Sequence, residues 1–129
     1  MTIAEVSKQF ELSQDTLRYY ERIGLIPGVG RTSGGIRDYT EEDCRWVGFI
    51  KCMRSAGLPI EVLIEYVTLF QQGDETKEAR KQLLIDQRKI LKTKIEEMQD
   101  ILERLDYKIA RYEEKIVEKE NELKNLWIN

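Results

Sequence analysis

The 55 residues that follow Asp74 contain no glycine and no proline. Those two residue types end or kink helices, so their absence leaves room for one uninterrupted helix. A 4-3 spacing that starts at Leu84 picks out Leu84, Arg88, Leu91, Ile95, Met98, Leu102, Leu105, Ile109, Tyr112, Ile116, Lys119, Leu123 and Leu126, of which eleven are apolar. A heptad sustained this far predicts a coiled coil. Residues 75–118 alone would form a rod of roughly 65 Å at the helical rise. Such a rod cannot bury its stripe on the 73 residues that precede it. It needs a partner helix, most simply from a second copy of the chain. Antiparallel pairing is expected, because it sets two heads at opposite ends of the rod. Domain boundaries follow at 1–73 for a head and 74–129 for a dimerisation helix.

Composition narrows the chemistry. The chain has no histidine and two cysteines, Cys44 and Cys52. That removes most zinc sites and most acid–base chemistry, and it is too few cysteines for a disulfide scaffold. No phosphate-cradling glycine loop and no paired catalytic constellation stands out, so neither an enzyme nor a cofactor or metal is expected. No apolar run approaches the ~20 residues that span a bilayer. The first residues alternate polar with apolar and include Glu5, unlike a signal peptide, so no membrane partner and a cytoplasmic location are expected. Net charge is −3, which argues mildly against nucleic acid. Residues 1–57 are neutral, however, and the acidic surplus lies wholly in 58–129. Any DNA affinity must therefore come from where arginines are placed rather than from bulk charge.

The head reads as short helices around a glycine-rich loop. Thr2 and Glu5 form a capping box, and Ile3, Val6 and Phe10 follow at helical spacing. Leu12 and Ser13 make a brief turn. Ser13 caps a second helix with Asp15 in its first turn, and Gly24 suits its left-handed end. Two helices about a tight turn form a helix-turn-helix pattern. Glycines crowd residues 25–39, and RTSGGIRDY predicts a small β-hairpin turning at Gly34 and Gly35, the wing of a winged head. Thr40 and Asp43 form another capping box. The helix they open runs to about Ser55 on a stripe of Trp46, Ile50 and Met53. After Gly57, Pro59 is placed for the first turn of a helix striped by Ile60, Leu63, Ile64, Val67 and Phe70 up to Gly73. Asp74 is expected to cap the long helix. The fold class is mainly α.

Arg18 and Arg22 lie four apart, so they share one face of the second helix, with Tyr19 and Tyr20 beside them. Arginine forks to guanine or phosphate, and tyrosine donates to phosphate while its ring packs. Arg37 and Tyr39, two apart on the expected strand, should point the same way and reach phosphate from the wing. Taken without further context, this helix also fits solvated arginines on an amphipathic surface, and the whole chain also fits a coiled-coil adaptor with a protein-binding head.

LRYYERIGL, then GIRDY, then IKCMRSAGLPIEVL resembles the MerR family of bacterial transcription regulators, and the likeness covers residues 2–72. What the resemblance implies is a homodimer that binds double-stranded promoter DNA with an over-long spacer. Distorting that DNA would let RNA polymerase holoenzyme read it, so the polymerase is an indirect partner. The site residues implied are Arg18, Tyr19, Tyr20, Arg22, Arg37 and Tyr39. The chain ends soon after the stalk, so a large-ligand domain is not expected, and no cysteine follows Cys52, so metal sensing is not expected. Cys52 within IKCMR resembles the thiol-dependent, aldehyde-responsive branch, the AdhR/NmlR type. Gly48, Ser55 and Ala56 on its helix face are small and leave the sulfur room, and Lys51 and Arg54 bring positive charge near it. Against this, the sulfur sits near a helix C-terminus, and a lone cysteine is more often a small buried hydrophobe. Cys44 reads as incidental.

Overall fold

The computed structural model describes the backbone of residues 1–128 and side chains through Lys124. The last seam position, Leu126, and Trp127 lie outside the described side chains. Five α-helices follow in order: α1 (Ile3–Phe10), α2 (Gln14–Arg22), α3 (Glu41–Ser55), α4 (Ile60–Gln72) and α5 (Lys77–Ile128). Both capping boxes form. The Glu5 amide donates to the Thr2 hydroxyl at 3.2 Å, and the Asp43 amide to that of Thr40 at 3.1 Å. Each carboxylate reaches back to the cap's own amide.

The turn between α1 and α2 is tied to one residue. Ser7 accepts the Leu12 amide on its carbonyl at 3.1 Å, and its hydroxyl donates to the Leu12 carbonyl. Glu11 closes α1 in the left-handed region, at φ 55°. That is a rare conformation for a residue with a side chain, held by the turn around it. Gly24, at φ 83°, ends α2 as its position after Arg22 and Ile23 suggests.

These helices close on a core of Val6, Leu17, Leu25, Ile26, Val47, Ile50, Leu63 and Val67, with Tyr20 and Tyr39 included. Fully burying a side chain such as Leu17 contributes about 1.5–3 kcal/mol. Gly48 lets α3 approach α1: a Cβ there would meet the Phe10 ring at 3.2 Å. Its small size therefore serves helix packing, where the sequence suggested space beside Cys52.

Two expectations change. The wing is not a strand pair. Among the described residues there is no strand, only one antiparallel bridge between Arg31 and Arg37. The Thr32 amide donates to the Ile36 carbonyl at 2.8 Å and the Asp38 amide to that of Gly30, also at 2.8 Å. The arms are too short and too exposed for more. Asp74 does not cap α5; it opens a 3-10 turn, Asp74–Thr76. Buried Thr76 makes that corner: its hydroxyl lies 2.7 Å from the carbonyls of Leu69 and Gly73 and accepts from Arg80 Nε at 3.0 Å.

The chain divides into two units, Met1–Arg88 and Lys89–Asn129. The first holds the head and the opening turns of α5, where Leu83, Leu84 and Ile85 are half-buried. The second is a single helical stretch. Its seam residues Ile95, Met98, Leu102, Leu105, Ile109, Tyr112, Ile116 and Leu123 are all exposed. No helix is long and apolar enough to cross a membrane among the described residues.

Candidate nucleic-acid interface

Leu17 and Tyr20 anchor α2 in the core, which turns Arg18, Tyr19 and Arg22 outward. Arg18 is held flat along the helix: Nη1 donates to Asp15 at 3.0 Å and Nη2 to Gln14 at 3.3 Å. These exposed bonds are weak enough to be exchanged for a nucleic-acid acceptor at little cost. The Arg22 guanidinium lies over the Tyr19 ring, 5.5 Å from its centroid. That cation–π contact stiffens a long cationic side chain before it meets any ligand.

Glu21 joins α2 to the bridged loop, and sequence reasoning missed it. One carboxylate oxygen accepts Arg37 Nε at 2.8 Å, and the other accepts the Val29 amide at 3.2 Å. Arg37 is thus partly covered, at 23% side-chain exposure, rather than free on an outer face. Its two Nη groups have no protein partner among the described residues, so an anion can still be met there. No local pattern joins residues 16 apart. Arg31 was also missed. It is exposed, opposite Arg37 in the bridge, and donates to the Gly35 carbonyl at 3.1 Å. Its mirror position across the turn is the signal that would have found it.

Tyr20 and Tyr39 are core residues, at 8% and 2% exposure. Arg37 turns to Glu21 while Tyr39 lies in the core. Burial first, and then the Glu21 carboxylate, push the Tyr39 hydroxyl above its ordinary pKa, against Arg37. That hydroxyl has no hydrogen-bond partner among the described residues. Removing an unpaired buried hydroxyl relieves a desolvation cost, so Tyr39→Phe should raise stability by about 1 kcal/mol. Thermal melting and an operator gel shift would check this together; a loss of DNA affinity would return Tyr39 to the interface.

The two cysteines differ in exposure. Cys44 is buried, its sulfur 3.8 Å from that of Met1, and burial pushes its thiol pKa up. Cys52 is exposed, so it is not the small buried hydrophobe that lone cysteines usually are. Its cationic neighbours are engaged with backbone. Lys51 Nζ donates to the Phe10 carbonyl, and Arg54 Nη1 to that of Leu58 at 2.8 Å. Among the described residues no group of histidine, cysteine or acid side chains could hold a metal.

The sequence profile described as "MerR HTH family regulatory protein" matches residues 1–69, and one described as "MerR, DNA binding" matches 44–107. The chain belongs to the MerR family. As a MerR regulator it is a DNA-binding transcription factor, and the relatives it matches are transcriptional regulators rather than enzymes. It is 65% identical to the HTH-type transcriptional regulator AdhR of Bacillus subtilis (strain 168) over 91 residues, 70% of this chain and 65% of AdhR. The chain thus spans just under two thirds of that relative's length. The likeness supports the AdhR-type branch of MerR regulators. A MerR family transcriptional regulator from Listeria monocytogenes superposes with TM-score 0.93 at 47% identity, covering 99% of this chain and 97% of that one. HiNmlR, "a MerR family regulator lacking the sensor domain, bound to promoter DNA", superposes with TM-score 0.79 at 33% identity, covering 88% of this chain and 90% of that one.

Proposed function

We propose that this MerR regulator binds a promoter with an over-long spacer as an antiparallel homodimer and distorts it so that RNA polymerase holoenzyme can engage. Residues 1–73 would bind DNA and residues 74–129 would dimerise. The observation that carries the reading is the outward face of α2, where Arg18, Tyr19 and Arg22 stand on a helix fixed by Leu17 and Tyr20. An α-helix fits the major groove, and arginines on its open face meet base edges or phosphates. Arg37 contributes to phosphate contact through its Nη groups while Glu21 fixes its position. Tyr20 and Tyr39 support that surface from behind. The HiNmlR complex with promoter DNA supports the same reading, since its fold matches most of both chains.

The signal is a reactive aldehyde taken up by Cys52. The sulfur adds to the carbonyl carbon and the thiol proton ends on the oxygen, giving a reversible hemithioacetal. Exposure of Cys52 and burial of Cys44 support that choice of thiol. An adaptor with a protein-binding head is the weaker reading, because the head is that of a DNA-binding family.

A gel shift against a promoter with an over-long spacer tests the proposal. Arg18→Ala should weaken binding by ~1–3 kcal/mol and relax sequence preference if Arg18 reads a base. Arg37→Ala, checked for folding by circular dichroism, should weaken all sequences alike and lower the salt slope by about one unit. If both variants bind like wild type, the interface lies elsewhere. Failure of the wild-type protein to bind any such promoter would favour the adaptor.

A further inference from the structure

The outward stripe of α2 is not wholly cationic. Asp15, Arg18 and Arg22 follow one another at spacings of three and four, so they line one face of the helix. All three are exposed, and the Asp15 side chain keeps 95% of its accessible surface. Asp15 stands in the first turn of α2, and that turn is well anchored. The Ser13 hydroxyl accepts the Thr16 amide at 3.0 Å and lies 2.7 Å from the Thr16 hydroxyl, and Leu17 is fully buried behind them. A recognition helix meets base edges with its N-terminal residues. Asp15 therefore occupies a position from which bases are read, and its place is fixed before any DNA arrives.

A carboxylate on that face would meet a polyanion. In the free protein Arg18 neutralises it: Nη1 donates to Asp15 at 3.0 Å while Nη2 donates to Gln14 at 3.3 Å. Once Arg18 exchanges those bonds for an acceptor on DNA, the carboxylate has lost its cation. A desolvated carboxylate without a donor is costly. Phosphate oxygens offer it none. The donors that the major groove offers are the amino groups of cytosine and adenine. Adenine sets its N7 acceptor beside its amino group, which repels a group that only accepts, whereas cytosine presents its amino group alone. The helix dipole also favours negative charge in a first turn, but it selects no base.

We propose that Asp15 is a specificity-determining residue: its carboxylate accepts the N4 amino group of a cytosine in the base pair next to the one that Arg18 meets. This rests on α2 lying in the major groove, as proposed above. Arg18 supplies affinity and Asp15 supplies discrimination. Against any other base the carboxylate stays unpaired beside phosphates, so wrong sequences are rejected by repulsion as well as by a missing bond.

Selection from a randomised duplex library by the full chain tests this. Wild-type protein should enrich a cytosine at one position of each half-site, and Asp15→Ala should be indifferent at that position alone. Two duplexes from the wild-type selection, differing only in that base pair in both half-sites, should be told apart about a hundredfold by the wild type, roughly tenfold per half-site. Asp15→Ala should tell them apart by less than about threefold, and should bind a duplex of unselected sequence more tightly than wild type does, since a negative charge has left each DNA-facing helix. Asp15→Asn, whose amide both donates and accepts, should move the preference to adenine. Circular dichroism shows whether each variant is folded. An unchanged base preference in Asp15→Ala, a cytosine preference that persists in Asp15→Asn, or a wild-type selection without such a cytosine would overturn the proposal. A wild-type protein that enriches no sequence at all would instead fault the reading of α2 as a recognition helix, and this inference with it.

Discussion

A protein carrying Leu102→Asp and Leu105→Asp together is expected to be monomeric and to lose specific operator binding. Both leucines lie at the middle of the seam and are about half exposed in the single chain, so no contact within the chain depends on them. In an antiparallel pair both lie near the centre of the interface, so the two substitutions place four carboxylates in one dry seam. Burying an unpaired charge costs several kcal/mol even after relaxation. Dimerisation would weaken by well over a hundredfold, since each ~1.4 kcal/mol is a factor of ten. Operator binding falls with it, because a dimer on two half-sites gains on the order of 10²–10⁴ from linking its heads. The head should remain folded, since its core lies wholly within residues 1–88. Light scattering would report the mass, the near-ultraviolet signal of the aromatic cluster would report the head, and a gel shift would report the operator. A dimer of unchanged affinity would show that the 4-3 register is misassigned.

What the sequence made legible was whatever depends on near neighbours. Thr2 with Glu5 and Thr40 with Asp43 are capping boxes three residues long, and both form. Gly24 follows the end of α2 with a positive φ, as its place in the pattern requires. The long helix was legible in the same way, since no glycine or proline follows Asp74, and α5 runs from Lys77 to Ile128. Contacts between distant residues were not legible. A two-residue spacing says that Arg37 and Tyr39 share a side, but not that the side is covered by Glu21 and the core. Gly48 offered space in the sequence, and Phe10, 38 residues away, takes it. Phe70 read as one more position in a buried stripe, yet it is exposed because the α4 stripe is wider than the core it meets. The hairpin reaches only one antiparallel bridge for a related reason: β propensity in four or five residues supports a ladder only when something packs on it, and Ile36 is 62% exposed.

Cys52→Ala is expected to bind the operator as wild type does and to lose induction by aldehyde altogether. The two halves of that expectation have different grounds. Binding persists because Cys52 is exposed on α3, and its removal opens no cavity in the core. Induction is lost because no other thiol is available. Cys44 is buried, and its raised pKa keeps it protonated at neutral pH, which slows attack on a carbonyl. Intact mass after brief exposure to an alkylating agent should therefore show one adduct per chain, mapped to Cys52. The reverse variant, Cys44→Ala, should keep full induction and lose roughly 1 kcal/mol of stability, because it truncates a packed side chain. An adduct can switch the protein only if it favours one state of the dimer over another. Position 52 is suited to that. Its neighbours Lys51 and Arg54 pin α3 to the Phe10 carbonyl at the end of α1 and to the Leu58 carbonyl in the connection to α4. An adduct that displaced either tie would move α3 against the helix-turn-helix. Transcription from the operator with and without aldehyde, in both alanine variants, decides the matter. Full induction in Cys52→Ala would falsify the thiol switch and leave the DNA-binding face of α2 untouched.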